Sequence, residues 1–286
     1  MLKNKYTNEN FEFSCEVFPP KRDEDIYGIF KTVDDIASLD LDFISVTYGA
    51  GGSNSKKTAM IAAYIENIAE VQSLAHMTAV GMTPDRLKET LDVLNKKSVS
   101  RVLVLRGDCP RNMTREEFDQ RYYQHASDMI PEIKADGRFE ISAACYPECH
   151  PESKSLDDDI HFLKEKCDLG VNSLITQMFF DNEKFYQFMD RCEKAGIDLP
   201  VHAGIMPITN ANMLGTSVSL SGSSVPHALS ELLAKYAENP ADMREAGIEY
   251  AVNQIDDLMR HGAYGVHLYS MNKAKATKEI YDAITK

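Results

Sequence analysis

The chain has 286 residues, enough for one large α/β barrel or two ordinary domains and for a substantial core. Asp and Glu number 44 against 31 Lys and Arg, a formal charge of −13, which argues against nucleic acid or an anionic membrane as the main partner but leaves room for a small anionic ligand held by local cations. No run approaches the roughly 18 apolar residues of a membrane helix, and the start Met1-Leu2-Lys3-Asn4-Lys5-Tyr6 lacks the apolar core of a signal peptide, so a soluble, cytoplasmic protein is expected.

Short β-branched or apolar runs recur at Phe11–Phe18, Phe43–Thr47, His76–Val80, Val102–Arg106, Phe139–Cys145, Ser173–Met178, Val201–Met206 and Gly265–Tyr269. Segments with helical spacing lie between them, such as Ile26, Ile29, Phe30, Val33, Ile36 and Ala37 in the first and Leu87, Leu91 and Leu94 in the third. Such alternation predicts parallel strands joined by right-handed crossovers, hence a closed (β/α)8 TIM barrel, with a doubly wound open sheet as the alternative. No Pro/Gly/Ser-rich linker divides the chain, and only Ser217–Ser224 is low-complexity-like, so residues 1–286 are expected to form a single catalytic domain.

In such a barrel the chemistry belongs at the carboxyl ends of the strands. Along the first strand Phe11, Phe13, Cys15 and Val17 alternate with Glu12, Ser14, Glu16 and Phe18, so the apolar set can face the helices while Glu16 points into the barrel mouth. Burial would keep that carboxyl protonated near neutral pH, as a general acid requires; a solvated or salt-bridged strand Glu is the plainer alternative. The second strand runs into Thr47-Tyr48-Gly49-Ala50-Gly51-Gly52-Ser53-Asn54, where three glycines allow backbone N–H groups to approach a phosphate or ribityl chain, and Ser53 or Asn54 can cap the next helix. A Gly-rich turn need bind nothing, and this one lacks either nucleotide fingerprint. The fourth strand ends Leu105-Arg106-Gly107-Asp108, setting a cation beside a carboxylate.

After the fifth strand comes Tyr146-Pro147-Glu148-Cys149-His150-Pro151-Glu152, and the sixth ends Thr176-Gln177-Met178-Phe179-Phe180, polar and aromatic groups on which a planar ligand could stack. The Gln177 amide suits a pterin edge or simply ties loops together, and Phe179 and Phe180 read as core. The six scattered cysteines predict reduced thiols. Cys145 and Cys149 beside His150 lack a matching second pair, which argues against a metal centre.

Together the segments Glu16–Lys21, Val46–Ser53, Leu105–Asp108, Tyr146–Glu152 and Ile175–Gln177, continued by Gly204–Asn210 and His267–Lys273, resemble the methylenetetrahydrofolate reductases over nearly the whole chain. That resemblance implies the barrel fold and a bound FAD contacted by Tyr48, Ala50, His76, Arg106, Gly107, Asp108, Ala126, Tyr146, His150, Asp159 and Lys166, with Arg106 and Lys166 offsetting the diphosphate charge. It implies a ping-pong cycle in which NADH or NADPH reduces the flavin, leaves, and is replaced by methylenetetrahydrofolate. Thr47, Asp108, Gln177 and Lys273 match substrate positions, Glu16 matches the proton donor, and Asp108 matches a carboxylate that stabilises a cationic intermediate electrostatically.

The departures lie in the second half. Phe162 and Glu165 stand where some bacterial members carry Asn and Arg, Met213 and Ser217 where they carry Gln and Phe, and Lys273 where they carry Arg, which keeps the charge but loses the planar fork. Because the donor region is the altered one, a protein electron donor is the alternative to free nicotinamide, and a non-enzymatic flavin- or folate-binding subunit is a second. Another flavin barrel of the proline-dehydrogenase kind fits the Glu16 and Thr47 segments less well. A homo-oligomer or a partner subunit is compatible with the sequence, and no appended regulatory domain is expected.

Overall fold

The computed structural model describes residues 11–48, 55–110 and 113–285. Among them eight strands form: β1 (Glu12–Val17), β2 (Phe43–Val46), β3 (Ser73–Thr78), β4 (Arg101–Leu105), β5 (Glu140–Cys145), β6 (Ser173–Thr176), β7 (Val201–Ile205) and β8 (Gly265–Tyr269). Hydrogen-bonded neighbours follow chain order in a closed barrel. Pairing is parallel, with Glu16 opposite Ser45, Ala75 opposite Val102 and Gly204 opposite His267. The predicted (β/α)8 barrel is the fold, and the open sheet is set aside.

The helices are α1 (Ile26–Ala37), α2 (Ser55–Asn67), α3 (Pro84–Asn95), α4 (Arg115–Asp119), α5 (Ala126–Asp136), α6 (Leu156–Asp168), α7 (Asn182–Lys194), α8 (Ala211–Ser221), α9 (His227–Tyr236), α10 (Pro240–Arg260) and α11 (Ala274–Ile284). Ile29, Val33 and Ile36 of α1 and Leu87, Leu91 and Leu94 of α3 are the buried stripes that helical spacing requires. Thr83 starts α3 by accepting the Arg86 N–H, with Pro84 in the first turn where its missing donor costs nothing. No described helix is long and apolar enough to cross a membrane.

Most strand bounds differ from the sequence reading by a residue or two, but the third run is displaced. His76–Val80 was expected, whereas β3 is Ser73–Thr78. Ser73 enters the strand because the Glu66 carboxylate accepts both its N–H and its hydroxyl at 2.8 Å, which satisfies polar groups that seemed to exclude it. Beyond Thr78 the ladder continues only as Ala79 and Val80 N–H donating to the Leu105 and Arg106 carbonyls, before Gly81 turns the chain at φ +70°.

The described chain divides into two compact units, one of residues 11–13, 145–164 and 175–285, the other of residues 14–144 and 165–174. In the first unit, Glu12 latches strands far apart in sequence. Its carboxylate pairs with His202 Nε2 at 2.8 Å and accepts the Tyr264 hydroxyl, while its N–H donates to the Tyr264 carbonyl at 3.1 Å. The His202 side chain is only 2 % exposed and Glu12 27 %, so the pair is partly shielded from water. Glu12→Ala is expected to lower stability by about 2 kcal/mol, the range of a charge-assisted bond reduced for partial exposure. Chemical denaturation of the two proteins checks this, and an unchanged midpoint would refute the latch.

In the second unit β1 keeps the predicted alternation: Cys15 and Val17 are fully buried, Glu16 half-buried and Phe18 exposed. Phe13, in the first unit, meets the Tyr281 ring of α11 edge-on at 5.3 Å, placing the apolar face of the strand against a helix.

Candidate active site

The second unit brings Glu16 together with His76. Glu16 ends β1, its side chain 18 % exposed, and His76 lies on β3 with 5 % exposure, Oε2 and Nε2 standing 3.6 Å apart. Burial pushes the Glu16 carboxyl up to about 8 and pulls the His76 imidazole down to about 3, so near neutral pH the acid holds its proton and the ring is uncharged. His76 Nε2 is buried without a hydrogen-bond partner among the described residues, which leaves a polar atom available to a ligand.

Beside them, the end of β4 is shaped by packing. Gly107 has φ +81°, and a Cβ there would lie 3.1 Å from Thr78 Cβ and from Val80 Cγ2, so the chain can present only bare backbone. Arg106, half-buried, and Asp108, exposed, flank it. The half-buried Thr47 is fixed by a contact the sequence did not reveal: the buried Thr58 hydroxyl of α2 donates to its carbonyl at 2.9 Å. Lys57 similarly donates to the Pro20 and Lys21 carbonyls at 3.1 and 3.3 Å, holding the loop that follows Glu16. Ala126 opens α5. Lys166 donates to the Ala144 carbonyl at 2.7 Å, so its ammonium is partly engaged by backbone. Ala50 and the remainder of the Gly49–Asn54 turn, with both proposed cap residues, lie outside the described residues.

The first unit gathers the rest. Asp159 accepts the His150 N–H at 3.0 Å and the Ser153 hydroxyl at 3.1 Å, and the Tyr146 and His150 rings meet edge-on at 4.7 Å, so these three candidates form one cluster around the β5 loop. Glu148 fastens that loop to the segment that follows α8: both its oxygens accept the Ser224 N–H at 3.1 Å. Gln177 is half-buried, its N–H donating to the Cys145 carbonyl at 2.7 Å and its side-chain oxygen accepting the Met178 N–H at 2.9 Å. Phe179 and Phe180 are core, as read.

Lys273, exposed, donates to the Thr209 hydroxyl at 3.1 Å with Met213 Sδ 3.9 Å away, in a shallow cavity also lined by Tyr269 and Ser270. Of the Ser217–Ser224 stretch, Ser217–Ser221 form the last turn of α8 and residues 222–224 follow the helix, with Ser217, Ser221 and Ser223 buried. Phe162 and Glu165 are exposed on α6. Among the described residues no group of three His, Cys, Asp or Glu stands close enough to hold a metal, and Cys145 and Cys149 are unbridged.

Sequence reasoning passed over Tyr269 and Gly204. The Tyr269 hydroxyl donates to the Thr176 carbonyl at 2.8 Å across Gly204, where a Cβ would lie 2.4 Å from that carbonyl. A glycine inside an otherwise apolar strand was the available signal.

A family model described as "Methylenetetrahydrofolate reductase" matches residues 1–285. The chain belongs to the methylenetetrahydrofolate reductase family. It is accordingly an oxidoreductase of one-carbon folate metabolism. The 5,10-methylenetetrahydrofolate reductase of Escherichia coli (strain K12) is 32% identical over 273 residues, spanning 96% of this chain and 89% of that protein. Methylenetetrahydrofolate reductase (NADH) 1 of Arabidopsis thaliana is 30% identical over 275 residues, 92% of this chain and 46% of that protein. Among solved structures, an uncharacterized protein from Clostridium thermocellum that binds two copies of 5-methyl-5,6,7,8-tetrahydrofolic acid superposes with TM-score 0.67 at 15% identity, covering 98% of this chain and 96% of the other, and so shares the fold.

Proposed function

We propose that the chain, acting as one catalytic barrel domain, reduces 5,10-methylenetetrahydrofolate to 5-methyltetrahydrofolate with FAD as cofactor and Glu16 as general acid. The observation that carries this is the raised Glu16 carboxyl beside a neutral His76. Three features suit a flavin dinucleotide: the bare backbone at Gly107, the unpartnered His76 Nε2, and the Arg106 cation at the same strand end. Tyr48, Ala126, Asp108, Tyr146, His150, Asp159 and Lys166 would complete its contacts, together with Ala50.

FAD, when bound, supplies the two-electron relay of a ping-pong cycle between a nicotinamide donor and the folate. The residues of the chain do the remainder. Reduction requires the bridge between N5 and N10 to open: the methylene–N10 bond breaks, its electron pair stays on N10, and the Glu16 proton goes to that nitrogen, leaving an N5 iminium. Burial makes the His76 imidazole a poor proton acceptor, so it does not draw the proton away from Glu16. Thr47 and Gln177 orient the pterin, Lys273 takes a carboxylate of the folate, and the negative Asp108 stabilises the cationic iminium.

Asp108→Asn is expected to slow folate reduction on the order of tenfold and to raise the flavin potential, since one negative charge is removed from an exposed strand end. Equal rate and potential in the variant would end the electrostatic assignment.

NADH is the donor we favour, in keeping with the plant relative's name. An anaerobic titration of the purified flavoprotein tests the whole reading. NADH should bleach the visible flavin band and methylenetetrahydrofolate should restore it. If neither NADH nor NADPH bleaches the band while folate still reoxidises dithionite-reduced flavin, electrons enter from a partner protein and the chain is the folate-reducing subunit of a complex. Failure of folate to reoxidise reduced flavin would refute the activity.

A further inference from the structure

Three arginines surround one phenyl ring beside the cofactor residues of the second unit. Phe118 of α4 is 2 % exposed, and the guanidinium carbons of Arg121, Arg115 and Arg106 lie 3.8, 5.3 and 5.8 Å from its ring centroid. The three cations are not equivalent. Arg121 is tied down at both ends, donating to the Phe118 and Gln124 carbonyls. Arg115 is exposed and pairs with Asp119 of its own helix at 3.0 Å. Arg106 follows β4 directly, its carbonyl accepting the Val80 N–H at 3.1 Å.

The five-residue helix that carries the ring is itself braced. Thr114 and Glu117 form a capping box, with the Glu117 carboxylate accepting the Thr114 N–H at 2.7 Å and the Thr114 hydroxyl accepting the Glu117 N–H at 3.2 Å. A ring backed by a hydrogen-bonded guanidinium and mounted on a capped helix gives the Arg106 cation an attractive surface. A long side chain otherwise loses much rotamer freedom when it closes on an anion.

We infer that Phe118 is a positioning residue, whose ring pre-sets the Arg106 guanidinium to grip the diphosphate of the flavin cofactor. The inference rests on the reading above in which Arg106 faces that diphosphate. α4 is then a splint for a binding cation. Phe118 itself touches no ligand.

The test compares FAD with riboflavin, which carries the same isoalloxazine ring but no phosphate, binding each to the flavin-free full-length chain and following flavin fluorescence. Phe118→Leu is expected to weaken FAD roughly threefold to tenfold, the span of a partly desolvated cation–π contact, and to leave riboflavin unchanged. In an Arg106→Ala background the same change should add nothing, and Phe118→Tyr, which keeps a ring, should bind FAD like the parent. Phe118→Met, matched in volume but lacking the ring, replaces the Leu variant if that one does not fold.

Equal weakening of FAD and riboflavin would make Phe118 a fold anchor and overturn the inference, as would undiminished FAD affinity in both the Leu and Met variants. If Arg106→Ala weakens FAD but the Phe118 variants do not, only the positioning role fails. If the parent binds FAD no tighter than riboflavin, or Arg106→Ala binds FAD like the parent, the diphosphate reading fails and takes this inference with it.

Discussion

Glu16→Gln is expected to leave reduction of the bound flavin by its donor near the parent rate while slowing reoxidation by methylenetetrahydrofolate about 10²–10⁴-fold, the usual contribution of a positioned general acid. Gln matches the shape of a protonated Glu but has no proton to give to N10, so only the half-reaction that needs bridge opening suffers. Stopped-flow measurement of the two half-reactions separates these outcomes, and normal folate turnover would sink the assignment. The parent should also lose the folate half-reaction as pH rises through about 8, where the buried carboxyl ionises; the donor half-reaction should not follow that limb.

Burial of this acid has a second, thermodynamic sign. Between its ordinary value of 4.5 and about 8 the unfolded chain releases the Glu16 proton while the folded chain keeps it, so rising pH costs stability across that window. His76 acts at the other end: as pH falls from 6.5 toward about 3 the unfolded chain gains a proton the folded ring refuses, and stability is lost as acid is added. Glu16→Gln should therefore flatten the decline of Tm toward pH 8 and leave the acid limb alone.

Gly247→Ala gives the largest expected loss of stability. Gly247 lies within the 21-residue α10, where helix propensity alone would rate Ala better by about 1 kcal/mol. Packing reverses that. A Cβ would sit 1.9 Å from the Ile208 carbonyl oxygen and 2.7 Å from its carbon, backbone atoms that cannot swing aside, so α10 must back away. Overpacking of this kind outweighs the propensity gain, for a net loss of about 2–3 kcal/mol and a Tm lower by roughly 4–10 °C. Thr209, next in the chain to Ile208, holds the Lys273 ammonium, so the same shift should raise the folate KM more than it lowers kcat. Gly215→Ala in α8 is the control, since nothing lies within 4 Å of its added Cβ, and it should be neutral or mildly stabilising. A Gly247→Ala protein that melts no earlier than the parent would refute the close-contact argument.

The barrel was legible in the sequence because the strands are short, mostly apolar and separated by helices, among which α1 and α3 show clear 3.6-residue stripes; β8 matched its predicted bounds to the residue. Glu16 was legible for the same reason, since alternation along β1 left it on the opposite face from Cys15 and Val17. What could not be read is whatever depends on a distant partner. Ser73 joins β3 with Glu66 satisfying it, and Arg106 meets the Phe118 ring only once β4 and α4 are in place. The carbonyls pressed against Gly204 and Gly247 likewise come from other segments, Thr176 and Ile208. The Gly-rich turn around Ala50 remains a reading from sequence alone.

The Glu12 latch joins residues 190 and 252 positions apart, so its bonds are among the slowest to be found during refolding, when long chain loops must close before any contact rewards them. Until β8 arrives, β1 has an open row of backbone donors and acceptors on one side, and any other chain with a free strand can pair there first. The seam of the barrel is thus also its point of kinetic exposure: dilute chains close on themselves, and crowded ones are captured by their neighbours at that edge.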